Sequence, residues 1–143
     1  MSIGKRSRRD VNKVRKIVFQ RDNDTCVVRG SDWGIISPCD DSLTIQHRVT
    51  RGMGSSNMFD APRDLVTMCA THNALEPVSA DFRSFCELSG WSVRRSYASQ
   101  WGLNRIPVRY GQEWFLLDGN ERFRITESVA RELMKDLYGE DLD

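Results

Sequence analysis

The period of the apolar positions changes repeatedly along this chain, and each change marks an element. Between Arg9 and Arg21, Val11, Val14, Ile17 and Val18 recur at helical spacing, with Lys13, Arg15 and Lys16 mostly on the other side. That pattern predicts an amphipathic helix with a basic face, ended by the turn Asp22-Asn23-Asp24. Cys26-Val27-Val28 reads as a short strand-like piece, followed by a loop, 29–41, rich in Gly, Ser, Pro and Asp, with Cys39 near its end. Leu43-Thr44-Ile45 then delivers Gln46-His47-Arg48, and alternation between flanking turn residues predicts a strand. A polar loop with paired glycines, Arg51-Gly52-Met53-Gly54, separates it from a second strand, Leu65-Val66-Thr67-Met68, which follows Asp64. Cys69-Ala70-Thr71-His72-Asn73 can then open a short helix that Pro77 ends.

Beyond Pro77, Ser79 can cap a helix running through Leu88, with Phe82, Phe85 and Cys86 on one face and Gly90 as its stop. An irregular stretch follows, carrying Trp91, Arg94, Arg95, Tyr97 and Trp101. Residues 106–126 read as strands. Trp114-Phe115-Leu116-Leu117 and Arg122-Phe123-Arg124-Ile125 flank Asp118-Gly119-Asn120-Glu121, a good hairpin turn. A final helix from Glu127 to Tyr138 places Val129, Leu133, Met134 and Leu137 on one face. Strands and helices in this order predict an α+β fold, and 143 residues predict one domain spanning 1–143.

Composition narrows the class. Hydrophobic residues make up 39% and charged residues 29%, as in ordinary globular proteins. No apolar run approaches the roughly 20 residues that a membrane span needs. The basic N-terminus lacks the apolar segment of a signal peptide. The expectation is a cytoplasmic, reducing setting, in which the four cysteines are thiols or metal ligands. Net charge is only +1, yet it is unevenly placed. Residues 1–21 carry Lys5, Arg6, Arg8, Arg9, Lys13, Arg15, Lys16 and Arg21 against Asp10. Residues 127–143 carry Arg131 and Lys135 against Glu127, Glu132, Asp136, Glu140, Asp141 and Asp143. A basic head suits a polyanion such as DNA, or is a solvated arm; the acidic end should face away from DNA.

Both histidines, His47 and His72, fall within 43–76. Cys69-x-x-His72 has the spacing of half a zinc knuckle, and Cys26 with Cys39 could complete a Cys₃His set; otherwise these are small interior residues. Cys86, on an apolar helical face, reads as core. Arg48 and Arg51 flank His47 and can grip phosphates, or be ordinary solvated arginines. Trp91, Tyr97, Trp101, Trp114 and Phe115 could stack bases or simply fill a core.

Taken in order, Gln46-His47-Arg48, Arg51-Gly52-Met53-Gly54, the run from Asp64 to Cys69, and Cys69-x-x-His72-Asn73 resemble the ββα-metal core of HNH endonucleases, especially the small phage and actinobacterial kind. The likeness covers about residues 8–126 and is strongest over 43–76. It implies a basic N-terminal helix over 9–25, an HNH core over 26–90 and a hairpin-and-helix extension over 91–143. The implied activity is a divalent-metal-dependent DNA endonuclease or nickase leaving 5′-phosphate ends. His47 would be the general base, and Asp64, counted with it in the catalytic set, would stand where the family has its middle Asn, fixing the loop or reaching the metal. Gln46 and Asn73 would hold Mg²⁺ or Mn²⁺, and Cys26, Cys39, Cys69 and His72 a structural Zn²⁺. DNA would be bound by Arg48, Arg51, Lys13 and Lys16. Three residues depart from the pattern: Gln46 replaces the usual Asp or His, Asp64 the Asn, and Arg29 the second cysteine of a Cys-x-x-Cys knuckle. The alternative is a non-catalytic DNA-binding or accessory protein that acts through a partner docked on the acidic C-terminal helix.

Overall fold

A computed structural model describes residues 8–49 and 60–139 of the chain. Among them are six helices and two small antiparallel sheets, a mixed α+β architecture. The first helix, α1 (Arg8–Arg21), is followed by the short α2 (Asp32–Ile36), whose N-cap Ser31 accepts from the Gly34 amide. Strands β1 (Leu43–His47) and β2 (Leu65–Cys69) pair antiparallel, with Leu43 opposite Cys69 and His47 opposite Leu65. Helix α3 (Ala70–Leu75) starts directly from the end of β2, and α4 (Ala80–Leu88) is capped by the Ser79 hydroxyl. No described helix is long and apolar enough to cross a membrane.

The second sheet, β3 (Val108–Tyr110), β4 (Glu113–Asp118) and β5 (Glu121–Ile125), is a meander. Asp118 faces Glu121 across its tight turn, where Gly119 supplies the positive φ of 59°. The last helix, α6 (Glu127–Tyr138), buries Ala130, Met134 and Leu137, while Val129 on its expected apolar face is 45% exposed. Two details differ from the sequence pattern. Cys26-Val27-Val28 is a turn rather than a strand; Val27 donates to the Thr67 carbonyl and accepts from the Gly111 amide, one bond to each neighbour. The stretch after Trp91 contains a helix, α5 (Arg95–Trp101), hidden from a periodicity reading because only Ala98 on it is fully buried.

The core has two parts. One gathers Val27, Val66, Met68, Phe82, Cys86 and Trp91 between the first hairpin and α4. The other gathers Val93, Leu103, Ile106, Trp114, Ala130 and Met134 beneath α5 and α6. Trp91, Trp114 and Phe115 are buried in the interior, so their aromatic faces are core. Gly90 joins the parts: at φ +77° it passes so close to the Pro107 carbonyl that a Cβ would sit 1.9 Å from the oxygen.

Candidate functional site

Four side chains from four separate places in the chain converge beside α3. Cys26 comes from the turn after α1, Cys39 from the loop after α2, Cys69 from the last position of β2, and His72 from the first turn of α3. Their ligand atoms all lie within 4.8 Å of one another. His72 Nδ1 is 3.1 Å from Cys69 Sγ, 3.7 Å from Cys39 Sγ and 3.9 Å from Cys26 Sγ. Tetrahedral zinc with Zn–N near 2.05 Å and Zn–S near 2.3 Å needs N···S edges of about 3.6 Å. The three distances bracket that edge, so the residues fit a metal such as zinc.

The surroundings prepare the cluster for an ion. The Nε2–H of His72 donates to the Ser37 carbonyl at 2.9 Å, which leaves the Nδ1 lone pair facing the three sulfurs. Burial pushes the His72 imidazole below its usual range, so the ring is neutral, as a ligand must be. The same burial pushes the Cys26 and Cys39 thiols up, which keeps the metal-free thiols protonated. Asp40 latches the Cys39 loop to α3: its carboxylate accepts from the Thr71 amide at 2.8 Å, from the Thr71 hydroxyl, and from the Ser42 amide at 2.7 Å. Those bonds, the Thr71 hydroxyl first, hold its carboxyl below the ordinary range. Cys86 stands apart, in the core with Phe82 and Trp91.

His47 occupies a different setting. It ends β1 and lines a cleft of about 400 Å³ with Val11, Val14 and Arg15 of α1, Thr44 and Ile45 of β1, and Asp60 and Leu65. Its side chain is 31% exposed, and its Nδ1 lies 3.8 Å from Oδ1 of the buried Asp60. Asp60 gave no signal in the sequence, because a long loop separates it from His47 and no spacing rule links the two.

Asn73 projects from α3 to β1, where its Nδ2 donates to Thr44 Oγ1 at 2.7 Å and to the Ile45 carbonyl at 3.1 Å. Its amide therefore ties helix to strand, and Oδ1 is the atom left to offer a cation. Lys13, Arg15 and Lys16 are exposed on α1. Arg51 lies outside the described residues.

Three expected site residues lie in the interior. Gln46, expected as a cation ligand, alternates to the face opposite His47 and is 6% exposed; its Nε2 donates to the Trp91 carbonyl at 3.3 Å. Arg48, expected on DNA, is 0% exposed. Its guanidinium donates to the carbonyls of Gly90, Arg63, Leu103 and Ile106 at 2.8–3.1 Å. Burial pushes its pKa down to about 10, so it remains charged near neutral pH. Asp64, expected in catalysis, is 2% exposed, and its Oδ2 accepts from the Ala61 amide at 2.8 Å, closing the 3-10 turn Pro62–Asp64. Arg21, counted within the basic head, is also interior: it pairs with Asp22 at 2.7 Å and donates to the carbonyls of Pro62 and Leu65. No family model, curated protein or solved structure matches this chain.

Proposed function

We propose that this protein is a phosphodiesterase acting on DNA, an endonuclease or nickase of the HNH kind, built on a zinc-clasped ββα core. One observation carries the reading. A half-exposed imidazole ends the first strand of a hairpin that runs straight into a helix, and it opens into a cleft walled by a basic helix. An imidazole is the side chain best suited to take a proton from water near neutral pH. Arg15 beside it, with Lys13 and Lys16 on the same helix, suits the phosphate backbone.

Mg²⁺ or Mn²⁺, when bound, would supply charge relief at the phosphate and the leaving oxygen. The described residues present a sparse donor set for such an ion, with Asn73 Oδ1 near β1 and Gln46 turned away. Such an ion would be held largely by phosphate oxygens and water. That sparseness favours the second reading, a DNA-binding or accessory module with the same core and no cleavage.

The test is nicking of supercoiled plasmid, with chelator and with Mg²⁺ or Mn²⁺ added back. The expected result is metal-dependent nicking that falls by more than about 100-fold in His47→Ala. Undiminished cutting by that variant removes His47 as the base. DNA binding without nicking in either metal selects the second reading.

A further inference from the structure

We infer that Asp60 is a positioning residue that holds His47 with its proton on Nδ1, which makes Nε2 the basic nitrogen, while Ser37 fixes the chain's other histidine in the opposite tautomer. The argument starts from the ring. Nδ1 of His47 is closed to solvent although the side chain is 31% exposed. The exposed part of the side chain therefore lies away from Nδ1. Facing Nδ1 at 3.8 Å is Oδ1 of Asp60, whose side chain is 10% exposed. An ionised carboxylate only accepts hydrogen bonds, so the ring nitrogen turned toward it must be the one that carries the proton. About 1 Å of closure converts this contact into a hydrogen bond, and such contacts tighten when substrate binds.

The frame behind Asp60 supports the same role. The residues immediately after it are gripped one by one. Asp64 takes the Ala61 amide, Arg21 takes the Pro62 and Leu65 carbonyls, and Arg48 takes the Arg63 carbonyl and, through its own amide, that of Asp64. Arg21, Arg48 and Asp64 are all buried. Three charged interior side chains holding one short turn fix where the preceding carboxylate points. A base oriented by a third group is the general arrangement for an imidazole that must keep one nitrogen open.

The role in catalysis rests on the nuclease reading above; the tautomer does not. The chain has only two histidines, so long-range ¹H–¹⁵N spectra of the zinc-loaded, full-length protein at about pH 8 report each ring separately. The wild type should show His47 protonated on Nδ1 and His72 protonated on Nε2. In Asp60→Ala and Asp60→Asn the His47 pattern should move toward the Nε2–H form, and in Asp60→Glu it should return. His72 should stay unchanged throughout, which shows that each variant is folded. In nicking assays kcat should fall by about 100-fold in the Ala and Asn variants, with KM within about threefold, and Asp60→Glu should recover most of the loss. A wild-type His47 carrying its proton on Nε2, or a pattern unmoved by Asp60→Ala, overturns the inference. Absence of nicking in the wild type removes the nuclease reading and leaves the spectra to decide the pairing.

Discussion

The two histidines of this chain sit in opposite environments, and the contrast separates what builds the molecule from what it can do. His72 is 0% exposed, faces three sulfurs, and has its other nitrogen engaged by a backbone carbonyl. Every donor a tetrahedral ion needs comes from the protein, which is the design of a closed structural site. His47 is partly exposed, lies beside the Asp60 carboxylate, and lines a cleft of about 400 Å³. An ion at the first site would hold turn, loop, strand and helix together.

Metal withdrawal should break this contrast most sharply. Structural zinc sites contribute on the order of 10 kcal/mol, comparable to the whole stability of a typical domain. Stripping zinc, or Cys69→Ser, should therefore collapse the urea midpoint, whereas His47→Ala should leave it nearly unchanged. The pH dependence has a definite sign. In the metal-free chain burial raises the Cys26 and Cys39 thiols. That contribution is present below the ordinary thiol value of about 8.5 and is lost as pH rises through the raised one. His72, pushed down by burial, contributes above the ordinary imidazole value of about 6.5, a contribution lost as pH falls. Zinc requires thiolates, so loading releases protons and is weakened by acid. The stability gap between loaded and stripped protein should widen from about pH 6 to pH 9. A gap that is constant or narrows over that range removes zinc from the cluster.

A smaller effect is expected at Arg48. Read as a phosphate grip, its loss would weaken DNA binding and leave the fold intact. Seated as it is on four backbone carbonyls, its loss strands buried acceptors between the two core regions. Arg48→Met should cost about 3 kcal/mol in urea unfolding, with DNA affinity of the folded fraction little changed. Wild-type stability with weakened DNA binding would reverse the assignment.

Much of the fold was legible because periodicity reports burial directly. Val66 and Met68 in β2, Phe82 and Cys86 in α4, and Met134 and Leu137 in α6 all face the interior as their spacing requires. The Cys/His cluster was legible for a different reason: Cys69-x-x-His72 has the spacing of half a zinc knuckle, which Cys26 and Cys39 could complete. Less legible was the direction of polar side chains. Gln46, Arg48, Asp64 and Arg21 are residue types normally found at surfaces, and each is buried here: Gln46, Arg48 and Arg21 on carbonyls from elsewhere in the chain, Asp64 on the Ala61 amide of its own turn. No local pattern encodes a partner that the tertiary fold supplies. Asp60 escaped notice for the same reason, and α5 because its sequence has no strong stripe.

The mildest test concerns α1, which both regions share. At its C-terminal end Arg21 is locked into the interior beside Asp22, while Lys13 and Lys16 lie exposed further up the helix. The helix is thus anchored by its last turn and presents charge from its middle, beside the cleft that Arg15 lines. Charges used in this way act through counterion release, each phosphate contact adding about 0.9 to the slope of log K against log salt. The double variant Lys13→Ala, Lys16→Ala should lower that slope by about two and weaken binding equally for all sequences. Urea stability should be unaffected, because neither side chain is buried. An unchanged slope would detach the basic helix from DNA and leave the cleft at His47 without its polyanion, whatever the metal cluster does.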